Sequence, residues 1–154
     1  MPLKTISVFL KPRAAAIRMR NTWLMFRYGV RIGPNVQASL SSRFHTRRRG
    51  AITVGADTLI AFKTLLTTYD PQSGQDRDIH IGARCFIGGG SIILPGVTIG
   101  DESIVGSGAV VAEDVPKGCI AAGNPARILK REIEVGPFGR LKGADERTRA
   151  FWKP

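Results

Sequence analysis

The first fifty residues contain no aspartate or glutamate, although they carry eleven lysines and arginines: Lys4, Lys11, Arg13, Arg18, Arg20, Arg27, Arg31, Arg43, Arg47, Arg48 and Arg49. Residues 51–154 hold twelve charges of each sign, so the formal net charge of +11 sits in the leading third, ahead of a neutral remainder. Cysteine is scarce. Cys85 and Cys119 form no C-x-x-C pair, which excludes a disulfide scaffold and leaves no zinc or redox motif. Long apolar runs are missing too: no uncharged stretch of 18 residues lacks Gly and Pro punctuation, and the start, MPLKTISVFLKP, is too short an apolar run for a signal peptide. This reading predicts a cytoplasmic protein. What is present, 154 residues with 43% apolar and 23% charged side chains, suits one globular domain or one repeat array.

A repeat of six residues runs from Ile81 to Pro116: IGARCF, IGGGSI, ILPGVT, IGDESI, VGSGAV, VAEDVP. Position one is Ile81, Ile87, Ile93, Ile99, Val105 and Val111; position two is mostly glycine; position five is Cys85, Ser91, Val97, Ser103, Ala109 and Val115. A period of six fits neither a helix nor a sandwich of hairpins, since no Asn-Gly or Asp-Gly turn separates the units. It predicts a solenoid in which each flat face is one short strand. One aliphatic per unit then points to a narrow axis, a small residue fits beside each corner, and glycine supplies unusual backbone angles there. Cys85 falls at the small position, as a packing residue rather than a nucleophile. The phase extends backward through Val54, Ile60 and Leu66, and through Ile32, Ala38 and Phe44. Arg47 to Gly50 break the count by four residues, and the polar, turn-rich run at residues 70–78 (DPQSGQDRD) predicts an excursion from the solenoid.

These residues, above all IHIGARCFIGGGSIILPGVTIGDESIVGSGAVVAEDVPKGCIAAGNPARILKR, resemble the hexapeptide-repeat acyltransferases, especially the bacterial sugar and polysaccharide O-acetyltransferases. The resemblance covers about residues 30 to 131. It implies an all-β fold, a left-handed parallel β-helix, and a homotrimer with active sites between subunits. The expected division is a basic N-terminal segment at 1–29, the β-helix at 30–121 with its excursion at 70–78, and a C-terminal capping helix and tail at 122–154. The closing AGNPAR places Asn124 as a helix N-cap and Pro125 at the first helical position, with Lys130 and Arg131 in the next turn.

The same resemblance implies acetyl-CoA as acyl donor and a sugar or glycolipid as acceptor. Arg127 and Lys130 match positions whose cations approach the nucleotide phosphates, and Gly89, Ser107 and Ala112 would face the pantetheine arm. Glu113 departs from the basic residue often found next to that arm. Attack of a hydroxyl on a thioester needs a base that works near neutral pH and donors for the developing oxyanion. The family usually supplies histidine just before the excursion; here Tyr69 stands in that place, followed by Asp70 and Pro71. A phenol with an ordinary pKa of about 10 is ionised in about one molecule in a thousand at pH 7. Tyr69 suits orienting or donating roles, and Asp70 is a second candidate. His80 alternates outward beside the inward Ile81, as His45 does beside Phe44. Two isolated histidines do not match the carbonic anhydrases of this fold, which hold zinc with three.

Residues 13–28 predict a helix with an imperfect apolar stripe, suited to covering the first coil or to lying on an anionic membrane through residues 1–50. No recognised nucleic-acid-binding module accompanies the charge. The tail at 136–154 ends in Phe151 and Trp152, a pair suited to docking on a neighbouring subunit. Two functions from different classes follow: an acyl-CoA-dependent O-acyltransferase of surface-polysaccharide or glycolipid synthesis, and a non-catalytic trimer that keeps the fold without the base.

Overall fold

A computed structural model describes residues 4–143, with side chains from residue 12 onward; Phe151 and Trp152 lie outside the described residues. One helix, α1 (Lys4–Tyr28), precedes a parallel coil of short strands on three faces. The first face stacks Arg31–Ile32, Ile52–Val54, Ile79–Ile81 and Thr98–Ile99, and a bridge from Ile99 to Val115 extends it. The second stacks Gln37–Ala38, Leu59–Ile60, Phe86–Ile87, Ile104–Val105 and Ile120–Ala122. The third stacks Arg43–His45, Leu65–Thr67, Ile92–Ile93 and Val110–Val111.

Register follows the six-residue phase. Ile81 pairs with Ile99, Ile60 with Ile87, and Leu66 with Ile93, so each face lays one aliphatic directly on the next, and all six are buried. Each contributes about 1.5–3 kcal/mol by leaving water. The two earlier triplets stack in the same register, Ile32 under Val54, Ala38 under Ile60 and Phe44 under Leu66. Val115 corrects the reading at one point. It pairs with Ile99 at the axial position, so the unit containing Glu113 and Asp114 is two residues short and Cys119 takes the small position after it.

The small positions form stacks of their own at the corners. Thr58, Cys85, Ser103 and Cys119 are buried in one file, where the Thr58 hydroxyl accepts from Cys85 N–H at 3.1 Å and the Ser103 hydroxyl accepts from Cys119 N–H at 3.3 Å. Burial pushes the Cys85 thiol up to about 11, and it donates to Gly100 carbonyl at 3.2 Å, as a packing residue would. The glycines act differently from expectation. Left-handed backbone occurs at position four, as at Arg84 (φ 53), Gly90 (φ 70) and Glu102 (φ 60). Position two needs glycine for clearance: a Cβ on Gly82 would stand 2.6 Å from Asp101 N, and one on Gly100 would stand 2.4 Å from Lys117 N.

The two ends of the coil are closed by different devices. At the start, α1 buries Leu24 against the first coil, and Asn21 donates to Val36 carbonyl at 3.0 Å. Arg20 donates to the carbonyls of Ser39 and Ser42, occupying acceptors that an open coil end would leave bare. At the far end the expected C-terminal capping helix does not form. Gly123 (φ 101) and a cis Asn124–Pro125 bond reverse the chain, and Arg127–Lys130 returns as an antiparallel strand on Ile120–Ala122. That strand fills the hydrogen-bonding edge of the last coil and half-buries Ile128 on the core, which a local helix would not do. The chain then runs back along the corner between first and second faces, with Ile133 and Val135 buried and Phe138 N–H donating to Asp57 carbonyl at 2.7 Å.

Candidate active site

The corner between the third and first faces carries both breaks in the repeat. Residues 46–50 bulge out of the first coil there, and residues 68–78 leave the second coil as a hairpin in which Tyr69–Asp70 pairs with Gln75–Asp76. The hairpin is pinned at its root: Arg77 N–H donates to Thr68 carbonyl at 2.8 Å, and the Thr68 hydroxyl donates to Asp76 Oδ1 at 2.9 Å. Its two ends therefore leave and re-enter the coil together. Tyr69 follows one end, and His80 lies just past the other on the first face, in register with Thr53 and Thr98.

Tyr69 is half-buried, and the Arg47 guanidinium lies 3.6 Å from its ring centroid. This contact fixes the ring by cation–π attraction. Asp70 is engaged otherwise. Its Oδ2 accepts from the Ser73 hydroxyl at 2.7 Å and its Oδ1 from Gln72 N–H at 2.9 Å, and these bonds hold its carboxyl below the ordinary value. A carboxylate so stabilised is a poor proton acceptor, so Asp70 shapes the hairpin. His80 is exposed, as is His45, which pairs with Thr67 on the third face.

The residues expected to meet a coenzyme divide between two corners. Ala112 and Glu113 lie at the third-to-first corner of the last full coil, where the Arg127 guanidinium stands 3.6 Å from the Glu113 carboxylate. Gly89 and Ser107 lie in successive coils at the second-to-third corner, where Gly108 N–H donates to Gly89 carbonyl at 2.9 Å. The turn at Ser107–Gly108 and the strand Val110–Val111 separate the two groups, which therefore sit at different corners of the coil. Lys130 is not beside Arg127 on a helical turn, as expected. The two stand at opposite ends of one strand, facing Ile120 and Ala122, about 10 Å apart along the chain.

Two participants were missed in the sequence. Phe62, 62% exposed, lays its ring over Gly89, where a Cβ would stand 2.7 Å from Phe62 Cζ; the glycine is needed for a neighbour in its own chain. The signal was an aromatic at an outward corner position one coil below Gly88–Gly90. Arg47 on Tyr69 was legible only by noticing that both count breaks fall at the same corner. A cleft of about 760 Å³ lies elsewhere, between α1 and the first coil, and is lined by Ile17, Asn21 and Met25 of the helix. Among the described residues no group of three or more His, Cys, Asp or Glu side chains is placed to hold a metal ion.

Residues 78–113 match the family described as bacterial transferase hexapeptide (six repeats). The chain is 36% identical over 128 residues to the galactoside O-acetyltransferase of Escherichia coli (strain K12), an alignment covering 73% of this chain and 62% of that enzyme. It covers 34% and 55% of the length of two other curated relatives. Among solved structures it is similar to the polySia specific acetyltransferase NeuO, with TM-score 0.64, 30% identity, and coverage of 79% of this chain and 62% of that one. It is also similar to the hexapeptide-repeat acetyltransferase VCA0836 of Vibrio cholerae O1 biovar eltor, complexed with acetyl coenzyme A, with TM-score 0.60, 32% identity, and coverage of 66% and 60%. The fold of this chain is the left-handed parallel β-helix of those neighbours.

Proposed function

We propose, from the premise that this chain belongs to the hexapeptide-repeat family of bacterial transferases, that it is an acyl-CoA-dependent O-acyltransferase whose acceptor is a sugar hydroxyl. The observation that carries the reading is the likeness of its coils to an acetyltransferase solved with acetyl coenzyme A, joined to an exposed cation, Arg127, that reaches Glu113 next to the small Ala112 at the last coil. The residues present fit a coenzyme: Arg127 for phosphate, and exposed Ser107 and Ala112 for a slender pantetheine arm. Glu113 tempers the positive charge of Arg127.

The cofactor-facing groups sit at two corners that one protomer keeps apart, so a continuous cleft requires the second-to-third corner of one subunit to face the third-to-first corner of another. A homotrimer meets that requirement. In the reaction the acceptor oxygen bonds to the thioester carbonyl, its proton passes to a base, and the thiolate of CoA leaves. His80 is the base in this proposal, because it is an exposed imidazole on the first face just past the point where the hairpin bearing Tyr69 re-enters the coil. Tyr69, held by Arg47, donates from its hydroxyl to the acceptor or to the developing oxyanion, and Asp70 keeps the hairpin in place.

Calorimetric titration with acetyl-CoA, followed by thiol release against a panel of sugars, tests this. Saturable binding with sugar-dependent thiol release is the expected result. Tyr69 in place of histidine favours one competing reading, a trimer that binds but does not turn over; binding with no release from any sugar, free or phosphorylated, would leave that trimer and an enzyme with an untried acceptor still to be distinguished, whereas no binding would remove the coenzyme reading.

A further inference from the structure

A cleft of about 310 Å³ opens beside Tyr69, lined by Arg27, Tyr28, Thr46, Arg47, Arg48 and Arg49. Four arginines line it from two elements, the last turn of α1 and the bulge of the first coil. Each is held in place by a neighbour. Arg27 lies 5.1 Å from the Tyr28 ring centroid, Arg47 stacks on Tyr69, Arg48 pairs with Asp78, and Arg49 donates to Arg27 carbonyl at 3.2 Å. The Thr46 hydroxyl donates to Arg48 carbonyl at 2.8 Å and fixes the bulge.

Only one of these four cations has a carboxylate partner among the described residues. Residues 1–50 contain no acid, and the carboxylate that does reach the cleft, Asp78, comes from the next coil and pairs with Arg48. Four like charges in one cleft repel one another, and a fold that needed only helix anchoring could use uncharged donors. Planar guanidiniums, already oriented, match the geometry of a phosphate, and three unneutralised charges exceed what a single carboxylate would balance. Arg47 also touches the ring assigned to the acceptor side, so an anion in the cleft lies next to the reacting hydroxyl.

We infer that this cleft binds a phosphate group of the acceptor, which makes the acceptor a phosphorylated sugar. The identification of the ligand as an acceptor rests on the transferase reading; the anion site itself rests on the arginines. The phosphate has two conceivable sources, a soluble sugar phosphate or one carried on a lipid, and the chemistry of recognition is the same.

The test is titration of the full chain with glucose 1-phosphate, alongside Arg47→Gln/Arg49→Gln and Arg127→Ala. Glucose 1-phosphate is expected to bind saturably, to weaken tenfold or more in the double variant, and to keep its affinity in Arg127→Ala. Acetyl-CoA affinity is expected to show the reverse pattern, which also verifies that the double variant is folded; Arg27→Gln, altering one exposed side chain, gives a second reading if it is not. Flotation with phosphatidylcholine vesicles, with and without phosphatidic acid, separates the sources. Arginine-dependent capture by the acidic vesicles assigns a lipid-borne phosphate, and binding of the soluble sugar alone assigns a soluble one. Equal phosphate affinity in wild type and double variant, glucuronate binding as tightly as the phosphate, or no binding in either arm would overturn the inference. Failure of the wild-type chain to bind acetyl-CoA, with phosphate binding intact, would instead remove the transferase reading and leave the anion site standing.

Discussion

Two kinds of glycine with opposite reasons for being glycine occupy the corners, and they respond differently to one added methyl group. At Gly100 the backbone is ordinary, but Lys117 N of the next coil leaves no room, and that atom is backbone rather than the end of a flexible side chain. Gly108 has φ 71 with open space around its missing Cβ. Gly108→Ala therefore incurs a conformational cost of about 1–2 kcal/mol, whereas Gly100→Ala must separate two coils and is expected to cost about 3 kcal/mol or more. Urea denaturation of both variants checks this; equal losses would refute the clearance argument. The distinction was not legible in the repeat, which shows that position two is small without showing why. What the repeat did expose was the axial aliphatics and Cys85, because identical environments recur every six residues. Val115 escaped it, since a valine fits either phase and only stacking on Ile99 reveals the shortened unit.

Charge at the last coil gives a second prediction of this scale. Glu113 and Arg127 form an exposed pair at 3.6 Å, worth little to stability. In the proposed coenzyme site Glu113 competes with an incoming phosphate for Arg127. Glu113→Gln should tighten acetyl-CoA binding by up to several fold while Arg127→Ala weakens it. Titration calorimetry at low salt reads both, and an unchanged dissociation constant in Arg127→Ala would defeat the assignment.

Among the elements, the hairpin at 68–78 and the strand Arg127–Lys130 show what local sequence could and could not disclose. The excursion was legible because polar turn residues cannot form a face of the coil. The closing strand was not, because Asn124–Pro125 suits a helix start and a tight turn equally, and the unfilled edge of Ile120–Ala122 decides between them. Within the hairpin, Asp70 provides a clean test of structure against chemistry. Its folded pKa is depressed, so its contribution is complete above the ordinary carboxylate value near pH 4 and is lost as pH falls through the lower folded value. Asp70→Asn keeps one oxygen to accept from Gln72 N–H, and thiol release should fall less than tenfold. A loss of a thousandfold with the hairpin still protected in hydrogen exchange would make the carboxylate a chemical participant. Tyr69→Phe leaves the Arg47 contact but removes the hydroxyl, and is expected to lower turnover ten- to a hundredfold; unchanged turnover would take the phenol out of the mechanism.

On the scale of the molecule, the three corners have three fates. The returning chain from Ile133 to Gly139 covers the first-to-second corner, and Gly139 packs so closely on Phe86 that a Cβ there would stand 2.6 Å from Phe86 Cβ. The third-to-first corner bears the arginine cleft, the hairpin, Glu113 and Arg127. The second-to-third corner exposes Leu40 and Phe62, 59% and 62% accessible, in the coils below Gly89 and Ser107. An apolar corner and a charged corner that each hold part of one proposed site are most economically joined between subunits. A trimer of 16.7 kDa chains should elute with a mass of about 50 kDa by light scattering. Mixing makes the stronger test. Ser107→Trp blocks the pantetheine path at one corner and Arg127→Ala removes the phosphate contact at the other, so each homotrimer alone binds acetyl-CoA weakly. In mixed trimers assembled from equal amounts, a site drawing Ser107 from one subunit and Arg127 from its neighbour is intact in about one case in four. Refolding the two variants together should therefore recover about a quarter of the wild-type tight sites in titration. If both residues served one site within a single chain, every chain would carry a defect and mixing would recover none.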